Sequence, residues 1–198
     1  FDALDKQFYR EVTLPQKLAA AKQNFLNSLS QGNISQVESV IKLYGIEDCF
    51  MDIEGYEDAV RQGFIKSFYK RNIAQALKIY DEFGPGIDLQ PELRIAYLAA
   101  ADVAAKIGDI KILRDIYSSF SEEKIDFSDC YSAENRQAVS QIYLTARIEG
   151  MDDDAMDIRN LFSTLSGVDF DALDEQFYRE VILPPRLESA KNDLITCL

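Results

Sequence analysis

No histidine occurs anywhere in the 198 residues, so the commonest general base and the commonest transition-metal ligand are both missing. Neither a Ser–His nor a Cys–His nucleophile pair can be assembled. Cys49, Cys130 and Cys197 are odd in number and lack the paired spacing of a zinc site, so they read as free thiols. The run Asp152-Asp153-Asp154 has the charge for a hard cation, but not the alternating ligands and closing Glu of a calcium loop. It opens an apolar-periodic stretch, where the helix dipole favours carboxylates. Lys106-Ile107-Gly108-Asp109 lacks the glycines and the Lys-Ser/Thr pair of a phosphate loop. The tyrosines and phenylalanines suit base stacking, yet they follow helical periodicity and are expected in a core. The chemistry expected of this stretch is recognition, with no catalytic residue, metal site or cofactor.

The formal net charge of −13 points the same way. Nucleic-acid binders draw affinity from Lys and Arg set against phosphates, and an acidic chain repels that ligand and anionic membrane surfaces. With 47% hydrophobic and 28% charged residues, the chain reads as folded and soluble. No apolar run approaches the roughly 18 residues needed to cross a bilayer. Free thiols suit the cytoplasm or another reducing compartment. The chain opens at Phe1 without an initiating Met or leader and is expected to be an excerpt of a longer protein.

The elements that position these residues repeat at two scales. FDALDKQFYREVTLPQKLAAAKQNFLNSL, Phe1 to Leu29, returns as FDALDEQFYREVILPPRLESAKNDLITCL, Phe170 to Leu198, with 17 of 29 positions identical at a constant offset of 169. Within that interval, apolar-periodic helices pair across turns at Gly32-Asn33, Arg71-Asn72, Gly108-Asp109 and Gly150-Met151, spaced 39, 37 and 42 apart. Leu14, Leu18, Ala21, Phe25 and Leu29 form the apolar stripe of the first. Pro15, Pro91 and Pro184 sit where first helical turns are expected. Asp48 to Asp52 and Ile125 to Asp129 alternate briefly and read as loops, with short strands the alternative.

The pattern predicts an all-α chain, a solenoid of stacked antiparallel hairpins. Residues 1–169 make one complete module: a spacer helix over 1–13, then hairpins at about 14–45, 55–83, 90–121 and 131–166. Residues 170–198 open the next module.

YLAAADVAAKIGDIKILRDIYSSF, Tyr97 to Phe120, has a small mid-helix residue (Ala101), Gly-Asp at the turn, and aromatics at Tyr117 and Phe120. With Ala76, Tyr80 and Phe83 in the second hairpin, it resembles the tetratricopeptide-like superfamily, which includes the pentatricopeptide repeats. The period is longer than the 34 residues usual there. Phe25, Phe64 and Tyr143 stand where that family prefers a small residue, Arg71 replaces a turn glycine, and Arg159 takes an aromatic position.

The resemblance implies a concave binding surface lined by the first helices. Its inward positions carry over to Lys22; to Arg61, Phe68 and Tyr69; to Asp102 and Lys106; and to Gln137 and Arg147. Lys22, Arg61, Lys106 and Arg147 make that face basic, suited to a protein or peptide partner bearing carboxylates; scattered solvated charges are the alternative. Asp2, Asp5, Gln7, Arg10, Glu11 and Lys22 are retained between the copies, as if in salt bridges that set an inter-module joint. Phe170, Leu173, Phe177, Arg179, Leu187 and Leu194 are placed at that joint. The last helix, lacking a partner, is expected to drive head-to-tail self-association. The function expected is a non-catalytic interaction scaffold. The alternatives are the recognition arm of a larger enzyme or secreted effector (then acting in a host cytosol), and a nucleic-acid-binding array, which the charge disfavours.

Overall fold

The computed structural model describes residues 5, 7–45, 50–130 and 132–197. The described residues contain helix, turn and loop and no strand. The helices are α1 (Leu14–Ser30), α2 (Ile34–Tyr44), α3 (Tyr56–Tyr69), α4 (Ile73–Phe83), α5 (Gln90–Ile107), α6 (Lys111–Ser119), α7 (Ala133–Ile148), α8 (Asp152–Leu161), α9 (Phe170–Phe177) and α10 (Leu183–Cys197). No helix among them is long and apolar enough to cross a membrane.

Successive helices reverse direction through one repeated piece of backbone chemistry. Gly32, Arg71, Gly108 and Gly150 are left-handed, with φ of 67, 56, 71 and 73°. After three of these turns, the N–H groups of Asn33, Asn72 and Met151 reach back to the carbonyls of Ser28, Ser67 and Ala146 at 2.9, 2.9 and 2.8 Å. Those bonds satisfy carbonyls that the helix end leaves unpaired. Asn33 and Asn72 then cap the following helix, each side chain accepting from the backbone N–H three residues on.

The chain divides into two compact units, Phe1–Ala96 and Tyr97–Leu198, the division falling within α5. In the first unit α1 packs on α2 and α3, and α3 on α4. α1 and α3 approach so closely that a Cβ on Gly63 would lie 2.0 Å from the Leu29 carbonyl oxygen, so only glycine fits there. Phe25, fully buried, lies 5.8 Å from the Phe50 ring, and Phe50 lies 5.5 and 5.8 Å from the rings of Tyr56 and Phe83. The Tyr56 hydroxyl donates to the Phe83 carbonyl at 2.6 Å, and burial raises its pKa to about 12.

In the second unit α7 packs on α8 and on α9. Phe127 is fully buried, 6.5 Å from the Tyr97 ring and 4.8 Å from the Phe162 ring. The two stretches with brief alternation are thus not strands where they are described. Phe50 sits in a short 3-10 turn (Phe50–Asp52), Phe127 sits in a loop, and each drives one aromatic into a helical core.

The duplicated segment corrects two expectations. Pro91 does lie in the first turn of a helix, but Pro15 and Pro184 do not begin new ones. Both follow a π-helical turn, Tyr9–Thr13 in the first copy and Tyr178–Ile182 in the second. A proline in a continuous α-helix removes one N–H and presses on the carbonyl four residues back. Widening the preceding turn relieves that clash; the Leu183 N–H reaches five residues back to the Tyr178 carbonyl. Helix therefore runs unbroken from 7 to 30 and from 170 to 197, and no boundary separates a spacer helix from the first hairpin.

The apolar stripe of α1 is also covered over only part of its length. Ala21, Phe25 and Leu29 are fully buried, while Leu14 and Leu18 remain 47% and 39% exposed.

Arg71 adopts the conformation that glycine takes at the other three turns, and left-handed backbone costs a side-chain-bearing residue about 1–2 kcal/mol. Replacing Arg71 with Gly should therefore stabilise the chain by about 0.5–1 kcal/mol after glycine's extra unfolded-state freedom. Calorimetry should read a rise in Tm on the order of 2 °C. A fall in Tm would mean that the arginine side chain holds the turn.

Candidate functional site

The first helices do not present the basic face that the sequence suggests. Arg61 on α3 donates to Glu57 at 2.7 Å and to Glu92 at 2.9 Å, and these carboxylates, Glu57 first, raise its pKa. Lys106 bonds Asp102 at 2.6 Å, one turn away. Arg147 bonds Asp152 at 2.7 Å. Lys22, half-buried on α1, has no ion pair among the described residues. Phe68 corrects the expectation outright. It is 8% exposed and packs edge-on against Phe64 at 4.9 Å, as core rather than as a binding surface. Tyr69 is 66% exposed and Gln137 is exposed.

The charged network with the most partners lies where α9 meets the hairpin α7/α8. Asp169 caps α9, accepting from the N–H groups of Asp171 and Ala172 at 3.1 and 3.0 Å. That sets Phe170, 8% exposed, edge-on against Tyr143 of α7 at 5.0 Å. One turn on, Asp174 receives the Tyr143 hydroxyl on Oδ1 at 2.8 Å and Arg159 Nη1 on Oδ2 at 3.2 Å. Arg147 Nε is buried 3.3 Å from Oδ1, in ionic contact but too oblique for a hydrogen bond. Arg159 Nη2 donates to Asp171 at 2.6 Å, which is the main cause of its raised pKa. The Arg147 guanidinium stacks over the Phe177 ring at 5.0 Å. Burial, and then the bond to Asp174, raise the pKa of Tyr143 and keep it a donor.

Of the residues placed at the joint from sequence, Phe170 and Phe177 belong to this network. Leu173 is half-buried on the same helix. Arg179 points away, its side chain 74% exposed and 4.0 Å from Glu175. Leu187 is 56% exposed. The side chain of Leu194 lies outside the described residues, as do Phe1, Asp2, Leu4, Cys49 and the side chains of Arg10 and Cys197. Tyr143, Arg159, Asp171 and Asp174 were not singled out as site residues. The available signals were Arg159 in a position the resembled family fills with an aromatic, and the retained Asp2 and Asp5, which align with Asp171 and Asp174.

Nothing in this arrangement supplies a nucleophile beside a base. The open cleft beside Arg159, Asp169 and Asp171 measures about 480 Å³, while the groove between α6 and α8 has room for about 20 Å³, enough for one water. Asp157 there has a raised pKa, first from burial and then from Asp154 and Asp153. Asp154 pairs with Arg114 and Asp152 with Arg147. Among the described residues no cluster of three or more Cys, Asp or Glu is able to hold a metal.

Asp174→Ala removes at once the acceptor of the Tyr143 hydroxyl and of Arg159 Nη1 and the carboxylate beside Arg147 Nε, while Arg159 keeps Asp171 and Arg147 keeps Asp152. Chemical denaturation should show a loss of about 1–2 kcal/mol, below the full value of charged hydrogen bonds because the site is partly exposed. A loss under about 0.5 kcal/mol would mean that the apolar contacts of Phe170 alone hold α9. Comparison with family models, with curated proteins and with solved structures gives no match.

Proposed function

We propose that this chain is a non-catalytic interaction scaffold, a tandem module of stacked helical hairpins that presents its first helices to a protein or peptide. What supports the stacking is a set of bonds that join equivalent helices one repeat apart. Lys78 of α4 pairs with Glu38 of α2, forty residues earlier, and Arg114 of α6 with Asp154 of α8, forty later. Between first helices and turns, Lys70 donates to the Gln31 carbonyl and Gln141 to the Ala105 carbonyl, 39 and 36 residues apart. Such one-repeat register is how a solenoid buries a continuous core.

The observation that carries the tandem reading is the opposite covering of the two copies. In the first, the C-terminal half is packed: Ala21 is fully buried and Leu26 half-buried, while Phe8 and Val12 are 62% and 39% exposed. In the second, the N-terminal half is packed, with Phe177 and Val181 half-buried, while Ala190 is exposed and Ile195 is 70% exposed. Laid over one another, the copies describe one helix covered towards its start by the α7/α8 hairpin and towards its end by α2 and α3, with Leu18 and its counterpart Leu187 exposed in both.

With Arg61, Lys106 and Arg147 paired to carboxylates, recognition on the first helices rests on Tyr69, Gln137 and Lys22 rather than on a basic groove. The same pairing weakens the nucleic-acid alternative. The double variant Lys22→Glu/Tyr69→Ala, with helicity unchanged, should lose the partner that the intact chain captures by at least tenfold in affinity, about 1.4 kcal/mol. Undiminished capture would put the interface elsewhere.

A further inference from the structure

The first copy opens with the sequence that, in the second copy, is seen docked, and among its described residues Asp5, Phe8 and Val12 are exposed. Residues 1–12 and 170–181 differ only at Lys6/Glu175. In the second copy, this sequence fits a receptor made by α7 and α8: Tyr143 and Arg159 bond Asp174, Arg159 also bonds Asp171, and Arg147 covers Phe177. In the first copy Asp5 is exposed, and Phe8, the counterpart of Phe177, is 62% exposed. We infer that residues 1–12 are a docking surface for a helical hairpin of the α7/α8 kind, one that presents a tyrosine and an arginine a turn apart on its first helix and a second arginine on its next.

Charge and shape both select this occupant. Two carboxylates one turn apart meet two guanidiniums in a partly desolvated contact, where such pairs fix register. The apolar stripe beside them needs a helix pair to cover it. The inference deepens the tandem reading by naming the surface through which modules join, and it leaves the partner face of the first helices untouched.

The receptor for the test is the full chain with both of its own copies disabled, Asp2→Lys/Asp5→Lys/Asp171→Lys/Asp174→Lys. The probe is a fluorescein-labelled synthetic peptide of residues 1–12, read by anisotropy. The peptide should bind this variant, should bind the unmodified chain at least tenfold more weakly because α9 fills the site, and should lose binding when its own two aspartates are lysines. No binding to a variant of unchanged helicity would overturn the proposal, as would equal binding by the lysine peptide or equal binding to the unmodified chain. Should the fourfold variant lose helicity, Asp174→Asn alone serves as receptor, with the same order of affinities expected and the same reversals decisive. A failed peptide with the Lys22/Tyr69 variant still losing its partner would remove the docking surface alone; the converse result would remove the partner face alone.

Discussion

Two helices in a hairpin bury one stripe each against the other and leave a second stripe that only a further hairpin can cover. In the proposed module that constraint decides which helices meet. Within the first unit α1 lies on α3 with glycine at the closest point, because nothing larger than hydrogen fits between Gly63 and the Leu29 carbonyl. Within the second, α9 lies on α7, and Phe170 enters beside Tyr143. The helix shared by both copies is longer than one hairpin face. It is left half-covered in each place it occurs, and on opposite halves.

The same constraint explains the π-turn. In the proposed tandem module the helix reaches from one hairpin to the next, and a break at Pro15 or Pro184 would uncouple its two halves. One widened turn absorbs the proline and keeps the axis continuous. Electrostatics then adds direction to the packing. The aspartates sit in the first turns of α9, where the dipole favours them, and the arginines come from the hairpin before it. A shifted register would leave the buried Arg147 Nε without a carboxylate.

The helices, their turns and the core aromatics were legible because they are local. Periodicity three and four apart, glycine or asparagine at each reversal, and the absence of histidine all read straight off the residues. What periodicity reports is a capacity for burial, not the neighbour that provides it. Leu14 and Leu18 continue the stripe of Phe25 in sequence but lie beyond the reach of α2 and α3. Phe68 falls on a face assigned to a ligand by resemblance, yet Phe64 claims it. The charges misled for a related reason. Arg61 and Lys106 each have a carboxylate four residues away on the same helix, and such pairs quench a basic surface before any partner arrives. The joint was half legible: the retained aspartates announced it, but their arginines lie in another helix, at a separation that only the fold reveals.

The central claim is that one helix sequence is held on complementary halves in its two positions. Residue-resolved amide hydrogen exchange tests it directly, since protection follows packing and not sequence. The account predicts slow exchange over residues 21–28 and 176–181, and fast exchange over their counterparts 190–197 and 7–12, so that equivalent residues in the two copies exchange at different rates. Matching protection along both copies would contradict it.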